Sequence, residues 1–115
     1  MSKTAVVILN WNGKGFLEKF LPSLMQHTPK ELGSIIVADN GSTDGSLAFL
    51  QEQYPSVCTV SLSKNYGFTG GYNRAFAEIS AHPQTYGEFD YYLLLNSDVE
   101  VTPRWLRELT SFMES

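Results

Sequence analysis

Four short runs rich in β-branched and apolar residues alternate along the chain with stretches whose apolar residues recur every three or four positions. Thr4–Leu9 (TAVVIL), Ser34–Ala38 (SIIVA), Val57–Leu62 and Tyr91–Leu95 (YYLLL) read as strands, the first apolar on both faces. A helix is expected over Lys14–Gln26, with Phe16, Leu17, Phe20, Leu21 and Leu24 as its apolar stripe. Pro22 lies inside that stripe and predicts a kink or an early end, because proline removes an N–H and crowds the preceding turn. A second helix is expected over Thr43–Gln53, and a third starting near Gly70–Gly71, where Tyr72, Ala75, Phe76 and Ile79 share a face. His82–Glu88 reads as a loop, and Thr102 with Pro103 starts a last helix carrying Trp105, Leu109 and Phe112. Strict β–α alternation with apolar strands predicts a parallel sheet covered by helices, its crossovers right-handed, in strand order 3-2-1-4.

Composition adds limits. With 115 residues the chain is one domain, 43% hydrophobic and 17% charged, as in ordinary globular proteins. A net charge of −4 excludes a broad nucleic-acid surface, which needs clustered cations to displace counterions. An anionic ligand must then be held locally, by backbone N–H groups, a few cations or a metal. The single cysteine, Cys58, excludes an internal disulfide and a cysteine-based zinc site, and its apolar surroundings suggest a buried thiol. His27 and His82 have no ligand spacing. The N-terminal apolar run is too short for a signal peptide or a membrane span, so the expectation is a soluble, cytoplasmic domain.

The chemistry gathers after the strands. The first leads into Asn10-Trp11-Asn12-Gly13, the second into Asp39-Asn40-Gly41-Ser42, the third into Ser63-Lys64-Asn65-Tyr66-Gly67 and the fourth into Asn96-Ser97-Asp98. In a parallel sheet these clusters line up along the carboxyl edge, where open α/β proteins bind ligands. Turn and cap chemistry accounts for any one of them, but less well for all together. Gly67, Gly70 and Gly71 allow backbone to approach a ligand in front of a helix N-terminus. Their spacing and position after the third strand are not the dinucleotide fingerprint. Asn96 and Asp98 fall on one side of the fourth strand, where the carboxylate is either a Mg²⁺ or Mn²⁺ ligand or a cap on the turn that follows.

These segments resemble the inverting glycosyltransferases of family 2, which have the Rossmann-like GT-A fold. VVILNWNG is similar to the family's opening strand and loop, and IIVADNGSTDGS to its most recognisable motif. NYGFTGGYNRAF resembles the segment of rhamnosyltransferase-like members, and LLLNSDVEVTPRWL the strand bearing the metal-binding Asp-x-Asp. The resemblance implies a nucleotide-diphosphate sugar donor, most readily a UDP- or dTDP-sugar. Leu9, Asn10, Asn12 and Asp39 would lie at the nucleotide, with the aspartate accepting from a base N–H. Asn65, Gly71 and Asn73 would line the nucleoside and diphosphate. Asp98, with Asn96 as a weaker partner, would hold Mn²⁺ or Mg²⁺. Asp44 is expected to cap the second helix and not to act in catalysis.

Departures from the family pattern carry consequences. Asn96 stands where many members have Asp, removing one charge from the metal site, and Asn-Trp-Asn replaces the commoner Pro-Thr-Tyr-Asn. Family members extend well beyond this length, into an acceptor site and a catalytic Asp or Glu base that nothing here matches. The expectation is therefore the truncated donor-binding part of an enzyme that acts on an acceptor glycan or lipid-linked glycan, in the cytoplasm or at the cytoplasmic face of the membrane. YYLLL, at a sheet edge without Lys or Pro, predicts self-association. Two other classes remain: a non-catalytic nucleotide-binding module, and a dinucleotide oxidoreductase, which the missing fingerprint disfavours.

Overall fold

A computed structural model describes residues 3–28 and 33–96. Its strands are β1 (Thr4–Asn10), β2 (Gly33–Asp39), β3 (Cys58–Ser61) and β4 (Tyr91–Asn96). The helices are α1 (Lys14–Gln26), α2 (Ser46–Gln53), α3 (Gly67–Ala81) and the short α4 (Pro83–Tyr86). All strand pairs are parallel and the order is β3-β2-β1-β4, as the alternation predicts. Asp98 and the helix expected from Thr102 lie outside the described residues.

Period-two alternation divides the strands between two cores. Val6, Ile8, Ile35 and Val37 face Leu17, Leu21 and Leu24 of α1 and Leu50 of α2. Ala5, Val7, Ile36, Ala38 and Val60 face Tyr72, Ala75 and Ile79 of α3. β1 and β2 are covered on both sides, which explains why they read as continuous apolar runs. Each fully buried Leu or Ile contributes about 1.5–3 kcal/mol by leaving water, so α1 is held to the sheet mainly by Leu17 and Leu21, each 1% exposed.

The differences from expectation are local. α1 continues four residues past Pro22, which lies on its exposed side. Phe16 is 52% exposed and does not belong to the buried stripe; it stacks instead on Phe20, with ring centroids 6.4 Å apart. α2 starts at Ser46 and not at Thr43, after left-handed Gly45 at φ 85°. Thr43 gives its N–H to the loop network described below. α3 begins at Gly67, before the glycine pair, and the expected 82–88 loop contains α4 with Pro83 in its first turn.

Candidate functional site at the carboxyl edge

Register brings the first two clusters together. Asn10 is the lateral partner of Asp39 across β1 and β2, and both side chains lie on the α1/α2 side of the sheet. The Asn10 amide donates to Asp39 Oδ1 at 3.0 Å and to Ser42 Oγ at 3.3 Å. Ser42 N–H donates to Asp39 Oδ2 at 3.0 Å, and Asn12 N–H to Ser42 Oγ at 2.9 Å. Asn12 Oδ1 then accepts the N–H of Thr43 at 2.7 Å. Asp39 is 3% exposed, and each of its oxygens already accepts one bond from the chain. An ionised carboxylate has further lone pairs, so capacity to accept from a ligand remains.

A second network joins β2 to the β3–α3 loop. Asn40, 2% exposed, donates to Asn65 Oδ1 and to the Gly67 carbonyl, each at 3.1 Å. Its own oxygen accepts the Tyr66 N–H at 3.0 Å. Asn65 Oδ1 also takes the N–H of Gly67, the first residue of α3, at 2.7 Å. Gly41 is packed into the same junction at φ 78°, and a Cβ there would meet Lys64 and Asn65 backbone at 2.6–2.9 Å. Any side chain at position 41 would force these loops apart.

Each expected site residue can now be placed. Asn10, Asn12 and Asp39 form one hub. Leu9 lies on the opposite face of the sheet, where it meets Gly71: a Cβ on that buried glycine would come within 2.9–3.0 Å of the Leu9 methyls and 2.8 Å of Asn40 Nδ2. Asn65 belongs to the Asn40 junction, and Asn73 is exposed in the second turn of α3. Asn96 ends β4 beside Leu9, so β4 leads to the same edge. Among the described residues no group of His, Cys, Asp and Glu is arranged to hold a metal ion.

Three residues central to this edge were not singled out as site residues from sequence. Asn40 and Ser42 hold the loops to each other, and their strand-end position was the only sign of it. Trp11 projects from the β1–α1 loop and is 55% exposed; an unburied indole flanked by two asparagines was the available signal. The Asn10 side-chain oxygen, Oδ1, is buried without a hydrogen-bond partner among the described residues. Its amide orientation follows from the Asp39 carboxylate, which needs the NH₂ side.

Chemically the edge combines a carboxylate, amide and hydroxyl groups, an exposed aromatic plane and a helix N-terminus. The Phe68 and Thr69 N–H groups in the first turn of α3 lack intrahelical acceptors, and the positive dipole end there favours an anion. This set suits a ligand with a flat polar ring and a phosphate. By contrast, the cavity of about 340 Å³ lined by Lys3, Met25, Gly33, Ile35 and Val57 opens at the opposite edge of the sheet.

The family model described as Glycosyl transferase family 2 matches residues 5–115. An N-acetylglucosaminyl-diphospho-decaprenol L-rhamnosyltransferase of Mycobacterium tuberculosis is 33% identical over 101 residues, covering 85% of this chain and 33% of the relative. An uncharacterized glycosyltransferase of Bacillus subtilis is 40% identical over 76 residues, 64% of this chain and 19% of the relative. The chain thus spans a third or less of the length of these curated relatives. The S. aureus TarS crystal structure in complex with UDP-GlcNAc superposes with a TM-score of 0.77 at 22% identity, over 97% of this chain and 31% of that one. A Pyrobaculum calidifontis mannosyltransferase in complex with GDP-Man and Mn²⁺ gives 0.70 at 16% identity, over 90% of this chain and 29% of that one. At these identities the two superpositions establish the fold.

Proposed function

The chain belongs to glycosyl transferase family 2, and from that premise we propose that its carboxyl edge binds the nucleotide-diphosphate part of a sugar donor. The observation that carries this reading is the Asn10–Asp39–Ser42 hub, which holds a carboxylate where two strand-end loops meet, one of them carrying exposed Trp11. Asp39 accepts from a base N–H, the indole stacks on the base, and the start of α3 faces the diphosphate. The TarS complex with UDP-GlcNAc and the mannosyltransferase complex with GDP-Man and Mn²⁺ support a nucleotide-sugar donor for this fold.

Asp98 is the residue we assign to a Mn²⁺ or Mg²⁺ ion, with Asn96, the last residue of β4, as a weaker, neutral partner. Such an ion, when bound, supplies charge neutralisation for the departing diphosphate. In the whole enzyme an acceptor hydroxyl attacks the anomeric carbon as the bond to the diphosphate breaks, with inversion. The bond's electron pair leaves with the nucleotide, and the hydroxyl proton goes to a carboxylate base. No residue of this chain is assigned that role, and the part proposed for it is the binding of the donor. The relative's name supports a lipid-linked acceptor.

Titration calorimetry with UDP, dTDP and GDP, each with and without Mn²⁺, tests the reading. Binding that Mn²⁺ strengthens and Asp98→Ala weakens is expected, with UDP or dTDP preferred. Binding indifferent to both the metal and Asp98→Ala would favour a non-catalytic nucleotide-binding module instead.

A further inference from the structure

β3 is the end strand of the sheet, and its outer side faces no other strand among the described residues. Leu62 N–H donates to the Asp39 carbonyl at 2.9 Å, so the even-numbered residues of this strand turn their backbone groups towards β2. Thr59 and Ser61 therefore direct theirs outward. Four consecutive residues, Val60 to Ser63, form one wall of a groove of about 530 Å³, and α3 supplies the other through Arg74, Ala77 and Glu78. An open strand edge beside a helix flank is a ready template for another strand.

The charges on that flank are arranged for a particular partner. The Arg74 guanidinium lies 3.8 Å from the Tyr66 ring centroid, so one face is stacked. Stacking leaves its planar fork of N–H donors free for a carboxylate, and among the described residues it has none within ion-pair distance. Glu78, one turn further along, is 43% exposed; His82 Nδ1 lies 3.3 Å from its Oε2 and the Tyr86 hydroxyl 3.4 Å. Arg74 and Glu78 thus line the same groove without pairing to each other, with small Ala77 between them. A two-fold axis between two copies would reverse their order and set the Arg74 of one towards the Glu78 of the other.

We propose that the β3 edge and the Arg74–Glu78 flank of α3 form a self-complementary surface on which a second copy of this chain docks. The two β3 strands pair antiparallel about Val60, Thr59 of one copy against Ser61 of the other, and the parallel sheets join into one. Two short strands and two exposed ion pairs make a weak, salt-sensitive dimer. Its edge is not the β4 edge, and it does not depend on nucleotide binding.

Sedimentation velocity from micromolar to near-millimolar protein, at low and high salt, tests this. Wild type is expected to dimerise at low salt. Arg74→Glu, which sets like charges against each other, should weaken the dimer by about tenfold or more, and Arg74→Glu with Glu78→Arg should restore it. Ser61→Pro, which removes an outward N–H at an edge position that tolerates proline, should also weaken it. A monomer at every concentration overturns the proposal. So does a dimer that ignores Arg74→Glu and Ser61→Pro, or one that the charge swap fails to restore.

Discussion

The Asp44 carboxylate accepts the backbone N–H of Lys14 at 3.0 Å and thereby fastens the first residue of α1 to the loop that starts α2. The same side chain accepts the Ser46 N–H at 3.0 Å and the Ser46 hydroxyl. One carboxylate therefore serves orphan donors at two helix starts, where the positive dipole ends favour negative charge. Asp44 was expected to cap α2; it stands one residue before the N-cap, Gly45, and supports the starts of both α2 and α1.

Replacing Asp44 by Ala should cost about 0.5–1 kcal/mol, the low part of the capping range, because the residue is exposed and solvent screens it. Burial acts to raise the Asp44 pKa, but the bonds from the Ser46 hydroxyl, Lys14 N–H and Ser46 N–H together bring it below the ordinary value. A depressed folded-state pKa gives stability that is complete above the unfolded value and is lost as pH falls through the folded one. Urea unfolding should show a gap between wild type and Asp44→Ala at neutral pH that closes towards pH ~2. A gap unchanged by acid would mean that the carboxylate charge is not its source.

Two left-handed glycines should respond differently to alanine. Gly45, at φ 85°, has open space around the added carbon, so Gly45→Ala should cost only the left-handed backbone penalty of about 1–2 kcal/mol. Gly41 combines φ 78° with backbone atoms of Lys64 and Asn65 inside 3.0 Å. Backbone cannot rotate aside as a side chain can, so Gly41→Ala should cost ~3 kcal/mol or more. Chemical denaturation of both variants checks the order; equal losses would show that the β2–β3 loop junction yields easily.

Gly71→Ala probes the route from packing to binding. Its neighbours, the Leu9 methyls and Asn40 Nδ2, belong to side chains, so the fold should survive with a loss of about 1–3 kcal/mol. The displaced groups are Leu9, at the expected nucleotide edge, and Asn40, which holds the β3–α3 loop. Nucleotide affinity should fall more than stability predicts. If calorimetry finds UDP binding unchanged in a folded Gly71→Ala, Leu9 and Asn40 do not shape the nucleotide site.

What could be read in advance followed from local pattern. β1 and β2 were legible because burial on both faces makes them continuous apolar runs, and the parallel order followed from β–α alternation. The start of α2 was not: the helix was expected from Thr43, but the Thr43 N–H goes to Asn12 Oδ1, far away in sequence. Phe16 misled for a related reason, since helical periodicity does not say how wide the buried stripe is. The gathering of polar clusters at one edge was visible. That Asn10 faces Asp39 depends on β1–β2 register, which no local pattern encodes. Asn40 was hidden likewise, its contacts reaching Asn65, Tyr66 and Gly67.

Asp39→Asn tests the hub itself. The amide matches the carboxylate in shape but sets an NH₂ against either the Asn10 NH₂ or the Ser42 N–H, both of which need an acceptor. Leaving one buried donor unsatisfied costs about 1–3 kcal/mol. The variant should lose that much stability and should bind UDP more weakly. Full stability in Asp39→Asn would mean that the loops are held by Ser42 and Asn12 without the carboxylate.

Trp11 offers the test that separates binding from folding. Its indole is 55% exposed, so little packing is lost when it is removed, and surface substitutions of that kind usually stay within ±0.5 kcal/mol. If the ring is the plane on which the base stacks, Trp11→Ala should weaken nucleotide binding by about 1–3 kcal/mol, while Trp11→Tyr should retain most of it. The loss should be similar for UDP, dTDP and GDP, because every base has a π-face, whereas Asp39→Asn should separate UDP and dTDP, which share one ring N–H, from GDP. Calorimetry on the two variants with all three nucleotides distinguishes the roles. Uniform loss with Trp11→Ala and base-dependent loss with Asp39→Asn are expected. Undiminished binding by Trp11→Ala would place the base away from the β1–α1 loop and reopen where on this edge the nucleotide lies.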